Sequence, residues 1–536
     1  MECQGRRAWQ AGGGGMAKGE FPDAVLGVSG YRRSLEDPRG ILNPGGVAQP
    51  LRTGVAASRL VPDVFRPLAT DDLLDAAKQT AAWIRSHEVP TEHGKLWDVF
   101  PKGQPGFGPD VMIFGPRCHY SGAAGIGTFF LRMWEATGDE SYLADARAAA
   151  DELIATASGP EWYDRVLASD VGGVIPVPGW AIGYSNGPAG EGLFVISLYE
   201  ATGEERYLAY ARKVADDLIA AAKPDPHGIR WSDQEDVVAD GGFVFYLVLV
   251  WRKTGDSRYL DAARRAGDRI AADALQSPHG GLYWKLLDLQ LIGFPKDTTF
   301  PNFSHGTAGV AWMFALLFEA TGEKRYLELA RGGVEYLKAI AVGDETGMLV
   351  PYQVHPVTGL TTNRFYLSSC HGPVGTVLPF RKLYELTGEA EYRDWCVWLS
   401  RGIIRAGAPE HYSWGYWNSN CQCCGTPGIL EHFVDMYEFT GEPEFLDYAW
   451  RTARVLLADS TTWDDRPGQR TWYGAWMRTI PSRVVSYLGL YSGATGCASS
   501  LVRLYADRRD VRLTQLFEYE FFGERLGRNR DGDAAR

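Results

Sequence analysis

The 536-residue sequence predicts an all-α protein, an α/α toroid in which seven inner and seven outer helices form a double ring. Three repeated features predict it. A Gly-x-x-Gly turn recurs at Gly122/Gly125, Gly187/Gly190, Gly306/Gly309, Gly372/Gly375, Gly425/Gly428 and Gly493/Gly496, with Gly241-Gly242 as a degenerate seventh member. Sixteen residues after the first glycine stands the glycine of a Thr-Gly-acid step, at Gly138, Gly203, Gly322, Gly388 and Gly441; the degenerate unit reaches Gly255 after fourteen. Four residues further on comes an aromatic: Tyr142, Tyr207, Tyr259, Tyr326, Tyr392 or Phe445. Repeats of this length mark stacked supersecondary units that bury a shared core.

Taken in order, residues 1–70 carry no helical period and hold the glycine run Gly12 to Gly15, several prolines and scattered arginines. They are expected to form a flexible leader, with Met16 an alternative start. Residues 71–510 are expected to be the toroid and residues 511–536 a tail. An outer-type helix is expected near residues 71–86. In each following unit the first segment is apolar nearly all round, as in Val310 to Phe318, which predicts a buried helix. Its Thr-Gly end is a C-cap, where glycine takes the left-handed conformation. The acid after it begins a second helix at the positive end of the dipole. That helix is amphipathic, as in Tyr326 to Leu337, where apolar residues recur at three and four. First glycines lie 53 to 68 residues apart, and seven such hairpins close naturally into a ring. An open solenoid would need polar capping units at its ends.

Closure puts every inner-helix N-terminus on one face. The residue before each first glycine is then expected to rim one cavity: Ser121, Asn186, Asp240, His305, His371, Cys424 and Ser492. Two stretches there carry soft ligands, Cys370-His371-Gly372 and Cys421-Gln422-Cys423-Cys424-Gly425. Thiolates and imidazoles gathered this way suit Zn²⁺ in tetrahedral geometry, and helix N-termini favour the ionised thiol. Cys370, Cys423 and Cys424 are read as metal ligands. Cys118, Cys396 and Cys497 stand alone and are read as small buried hydrophobes.

Composition bounds the partners. The formal net charge is −12, which argues against nucleic acid or an anionic membrane. No apolar run has membrane-spanning length, and the N-terminus lacks the apolar core of a signal peptide, so the expected location is the cytoplasm. Eight cysteines in so long a chain do not make a disulfide scaffold.

These residues resemble the lanthionine synthetase C-like family, the lanthipeptide cyclases, over roughly residues 71–510. The resemblance implies a zinc enzyme that joins a peptide cysteine to dehydroalanine or dehydrobutyrine. The family holds zinc on two consecutive inner helices, through the Cys of a Cys-Tyr-Gly step and a Cys-His-Gly or Cys-Cys-Gly pair. By position, Cys370, Cys423 and Cys424 match the three ligands. His371 occupies the family's Tyr position and competes for a ligand place, and Cys421 is an extra thiol. His305 in Ser304-His305-Gly306 resembles the family's proton-transfer histidine. Asp236 and Asp240 both compete for its catalytic aspartate, one unit earlier. Arg364 is near the family's arginine but off by two residues. The implied partners are a precursor peptide and separately encoded dehydrating enzymes. The aromatic run with Tyr412, Trp414, Tyr416 and Trp417 would grip a peptide or pack in the core. Other classes fit the same toroid: a glycoside hydrolase or lyase, a zinc prenyltransferase, or a non-catalytic peptide- or thiol-binding scaffold. A glycosidase would need paired carboxylates across the cavity.

Overall fold

A computed structural model describes residues 68–99, 115–168, 170–171, 175–176, 179–285, 298–359, 361, 365–410, 419–477 and 480–513. The expected leader, Arg364 and the aromatic run at 411–417 lie outside the described residues, as does the chain beyond residue 513.

Seven inner helices alternate with seven outer ones among the described residues. The outer helix α1 (Thr70–Arg85) leads. Inner–outer hairpins follow: α2–α3 (Ala123–Thr137, Glu140–Ala155), then, after the short α4 (Glu161–Leu167), α5–α6 (Pro188–Thr202, Glu205–Ala221), α7–α8 (Asp240–Thr254, Ser257–Ala272), α9–α10 (Thr307–Thr321, Lys324–Ile340), α11–α12 (Pro373–Thr387, Ala390–Arg405) and α13–α14 (Thr426–Thr440, Pro443–Ala458). The last inner helix is α15 (Ala494–Arg509), which packs against α1 and α2 and closes the ring. Among the described residues, seven two-stranded antiparallel ribbons, such as Glu88–Pro90 with Lys95–Trp97, lie between the helices. The sequence reading did not anticipate them, because in six of the seven ribbons the strands are only two or three residues long, too few to show a period.

The repeated residues each have a local job. At the end of every inner helix but the last, the threonine hydroxyl donates to the carbonyl four residues back and accepts from the amide of the acid two residues on, as Thr321 does with Leu317 and Glu323. The next glycine adopts φ between +70° and +74°, which only glycine tolerates well. The acids divide into two groups. Asp139 and Asp256 cap their outer helices by accepting from the amides of Ser141 and Arg258. Glu204, Glu323, Glu389 and Glu442 instead pair with Arg147, Arg264, Arg331 and Arg401 of the preceding outer helix. These exposed pairs join neighbouring units but add little stability singly. The following aromatics are all buried, and three stack on inner-helix phenylalanines: Tyr142 on Phe130, Tyr326 on Phe314 and Phe445 on Phe433.

The second glycine of each turn makes room for backbone. A Cβ at Gly125, Gly190, Gly309, Gly375, Gly428 or Gly496 would lie 2.0 to 2.4 Å from the carbonyl oxygen six residues earlier. The approach hands the chain just before each inner helix to its neighbour. Ser304 N donates to Cys370 O at 2.8 Å, Cys370 N to Cys423 O at 3.3 Å, Cys423 N to Tyr491 O at 3.2 Å, Tyr491 N to Tyr120 O at 2.9 Å and Tyr120 N to Ser185 O at 2.9 Å. This is a hydrogen-bonded belt through six of the seven units. In the third unit Ala239 takes the place of the first glycine as helix cap, and its amide bonds locally to Asp236 O at 3.0 Å.

Ring closure is reinforced at depth. Arg132 of α2 is fully buried and reaches Glu431 of α13 at 2.9 Å and Ser499 of α15 at 2.8 Å. No helix among the described residues is long and apolar enough to cross a membrane.

Candidate active site

The belt encloses a cavity of ≈ 230 Å³ at the inner-helix N-termini, lined in part by Cys370, His371, Cys423, Cys424, Ser304, His305, Asn186 and Trp180. The sequence reading expected the residue before each first glycine to face it. Four do so: Asn186, His305, His371 and Cys424. The position one residue earlier contributes more, through Tyr120, Ser185, Ser304, Cys370, Cys423 and Tyr491. Ser121 and Ser492 are not in the lining; their hydroxyls bond each other at 2.9 Å.

Asp240 corrects the expected rim. It turns into its own unit, where Oδ2 accepts from the amides of Trp231 at 2.8 Å and Ser232 at 3.2 Å, and Oδ1 accepts from the Ser232 hydroxyl at 2.7 Å. Burial raises its pKa to about 6. The rival aspartate is the one that meets a histidine. Asp236 is fully buried, and its Oδ2 accepts from His305 Nδ1 at 2.9 Å. The irregular start of α7 allows this: its N-cap is Ala239, not the extended glycine of the other inner helices, and the preceding turn brings Asp236 towards the neighbouring unit.

The three cysteines converge as expected. Cys370, Cys423 and Cys424 are a group whose sulfurs all lie within 4.8 Å of one another, the only group of potential metal ligands so placed among the described residues. His371 is not a member. Its ring is held by Phe300 at 4.5 Å, Tyr352 at 5.0 Å and Tyr366 at 5.5 Å between centroids, and stacks on His305 at 5.5 Å. Cys421 lies beside the group. Its thiol is held well above the usual range, first by its hydrogen bond with Cys424 and then by burial.

One feature departs from the sequence reading, which treated all three cysteines as thiolates. Cys370 and Cys423 are joined as a disulfide with Cα atoms 5.9 Å apart. The closeness that would let both bind one ion also lets them bond each other. The donor set suits a soft, tetrahedral ion, with three sulfurs from two adjacent helix N-termini facing one cavity; the disulfide must be reduced before that ion can bind. The isolated cysteines behave as expected: Cys118, Cys396 and Cys497 are buried free thiols, and burial pushes Cys118 up to about 11.

The sequence reading missed Trp180, Tyr120 and Tyr491, which line the cavity, and Gln234, which is hydrogen-bonded to Asp236. The tyrosines had a signal, since they occupy the same register as Cys370 and Cys423.

Comparison with known proteins follows the same lines. The family model for lanthionine synthetase C-like proteins matches residues 114–517. A nisin cyclase structure aligns with a TM-score of 0.51 at 14% identity, over 74% of this chain and 93% of its own. That likeness is one of fold. A cellobiose 2-epimerase from Bacillus thermoamylovorans aligns at TM-score 0.41 and 13% identity, over 58% of this chain and 85% of its own. An α-1,6-mannanase from Salegentibacter sp. aligns at TM-score 0.40 and 15% identity, over 65% and 97%. No curated protein sequence matches. A double ring of glycine-led helices with three cysteines at one edge of its cavity, matched by the family model over more than half its length, belongs to the lanthionine synthetase C-like family.

Proposed function

We propose that this chain is a zinc-dependent lanthipeptide-type cyclase. It forms lanthionine or methyllanthionine rings by adding peptide cysteine thiolates to dehydroalanine or dehydrobutyrine. The observation that carries the reading is the meeting, in one cavity of a lanthionine synthetase C-like chain, of three cysteine sulfurs and a histidine backed by a buried aspartate.

Cys370, Cys423 and Cys424 would hold Zn²⁺ once the disulfide is reduced. Bound there, the ion would lower the pKa of a substrate thiol from its usual value of about 8.5 and leave a fourth position for its sulfur. The remaining work falls to the chain. The substrate sulfur forms its bond to the β-carbon of the dehydro residue, and the π electrons move to the α-carbon and its carbonyl. His305 Nε2 delivers a proton to the α-carbon, and the proton released by the thiol restores the imidazole. Asp236 orients the ring and steadies its charged form. His371 covers one face of His305 and restricts how the ring can turn. The partners implied are a dehydrated precursor peptide and the separately encoded enzymes that dehydrate it.

A carbohydrate-cleaving alternative fares worse, since no Asp or Glu is among the described residues lining the cavity and Asp236 is engaged with His305. A binding scaffold is separated by turnover. The test is to reduce the protein, supply one equivalent of zinc and add a dehydrated cysteine peptide. Loss of alkylatable peptide thiols is followed by mass spectrometry. Expected are thiol loss with native protein, stoichiometric zinc, and at least about 100-fold slower reaction in His305→Ala. No thiol loss with zinc-loaded protein, or an unaltered rate in His305→Ala, would refute the reading.

A further inference from the structure

We propose that Cys421 and Cys424 are a second dithiol pair beside the Cys370–Cys423 disulfide, and that a low-molecular-weight disulfide oxidises them to a second bridge that seals the sulfur group against metal. This deepens the reading of the group as a metal site, on which only the seal rests; the pairing stands on geometry.

The run Cys421-Gln422-Cys423-Cys424 interleaves two pairs. Cys423 reaches the neighbouring unit and is bonded to Cys370. That leaves Cys424, the third sulfur of the group, and Cys421, which lies outside it. The Cys421 and Cys424 thiols are hydrogen-bonded to each other. Backbone holds them there: Gly425 N donates to Cys421 O at 2.9 Å and closes one turn that contains both residues. The turn leads directly into α13 at Thr426. Cys-x-x-Cys is the spacing of dithiol redox centres. Both residues are half-buried, within reach of a small reagent. The other free cysteines among the described residues are buried, and their sulfurs face carbonyls. Cys118 donates to Gly115 O at 3.2 Å, Cys396 to Val377 O at 3.9 Å and Cys497 to Asn420 O at 3.3 Å.

The step is a thiol–disulfide exchange. One sulfur of the pair attacks the small disulfide, forms a mixed disulfide and releases one small thiol. The other sulfur attacks the mixed disulfide at the protein sulfur, forms Cys421–Cys424 and releases the second small thiol. Two electrons and both thiol protons leave on the released thiols. With only Cys370–Cys423 closed, Cys424 remains a thiol in the cavity. With both bridges closed, none of the three sulfurs of the group can act as a thiolate ligand for a soft ion.

The test maps bridges in metal-free full-length protein treated with excess oxidised glutathione. The sample is quenched in acid, unfolded and alkylated with N-ethylmaleimide. Trypsin places Cys370 in peptide 365–381 and the other three cysteines in peptide 406–451. Two bridges give these peptides linked and without an alkyl group. Linked peptides that carry two alkyl groups or glutathione adducts overturn the proposal. Cys424→Ser fixes the pairing, and Cys424→Ala serves if the serine variant does not fold. Cys370 and Cys423 should still link the peptides in it, with Cys421 left to alkylation or to a glutathione adduct. Separate peptides in this variant would show that Cys421 bonds Cys423, and overturn the pairing. Zinc uptake is read on the same samples. Native protein with both bridges should bind none, and excess dithiothreitol should restore binding. Zinc held by doubly bridged protein overturns the seal. If both bridges form but reduced protein takes up no zinc, the dithiol pair stands and the zinc cyclase reading fails.

Discussion

Six of the seven units share one backbone device at the cavity, and the third does not. Around the belt, the residue two before the first glycine donates to or accepts from its neighbour's backbone, so Cys370 and Cys423 are held on both sides by peptide groups. In the third unit Ala239 replaces the glycine as helix cap with its amide bonded locally, and the turn before it carries Asp236 across to His305. The regular arc fixes sulfur positions through backbone, which no side-chain substitution at the belt removes directly. The irregular unit places an acid–base pair through side chains, which are easily altered. Under the proposed function this difference is the one required, since metal ligation would need fixed donors and proton transfer a tuned pair.

The largest expected effect comes from breaking the regular arc. In Gly375→Ala the new Cβ would lie 2.2 Å from Ser369 O and 2.5 Å from the Phe303 side chain, with backbone on one side and a buried ring on the other. Destabilisation of at least about 3 kcal/mol, or failure to fold, is expected. Gly241→Ala, one helical position before the counterpart of Gly375, is the milder control in the irregular unit. Its Cβ would meet two backbone oxygens, Asp236 O and Glu235 O, at 2.9 Å, a milder clash than at Gly375, so a smaller loss of about 1 kcal/mol is expected. Thermal melts of the two variants decide. Equal losses would mean that the surroundings of Gly375 are no tighter than those of Gly241.

Next in size is the sulfur group. Cys424→Ala leaves the belt untouched, because no belt hydrogen bond uses Cys424. It should abolish tight zinc binding by the reduced protein and lower cyclisation by about 100-fold or more, with little change in melting temperature of the metal-free form. Cys421→Ala should have a smaller effect on zinc, since its sulfur is outside the group of three. Metal analysis and zinc-edge absorption check both. Full zinc occupancy in Cys424→Ala would remove it from the ligand set.

Much of this contrast was legible in the sequence. The glycine spacing gave the double ring, since a left-handed cap every unit leaves few other arrangements, and the Cys-Gly register placed three sulfurs together. Three things were not legible. Asp236 and Asp240 both sit within five residues of Gly241, and only the path of the turn says which faces His305. Gln234 carries no motif, because an amide gains its role from what lies at its two ends. The disulfide between Cys370 and Cys423 was also missed. Ligand spacing and disulfide spacing are the same distance constraint read two ways.

The smallest effect expected is one of pH, and it belongs to the irregular unit. Asp240 is buried at the start of α7, where the other inner helices have alanine, proline or threonine after a glycine cap. Its pKa is raised to about 6, chiefly by burial, while Asp236 adds to the rise and the hydrogen bonds from Trp231 and Ser232 oppose it. An unfolded aspartate titrates near 4. The folded state therefore holds a proton that the unfolded state has lost between about pH 4 and pH 6. Stability contributed by this group falls as pH rises through that window, and the deficit is complete above it. Its ceiling is about 3 kcal/mol, and about 1–2 kcal/mol is expected once the site relaxes. Asp240→Asn keeps an oxygen for the two amides and can donate to the Ser232 hydroxyl, so it should fold and lose the effect. Denaturant melts at pH 7 and pH 5 give the comparison. The difference between native and Asp240→Asn stability should shift in favour of native protein by about 1–2 kcal/mol on going to pH 5. A difference that does not change with pH would mean that the carboxylate stays charged in the fold, and that three hydrogen bonds outweigh its burial.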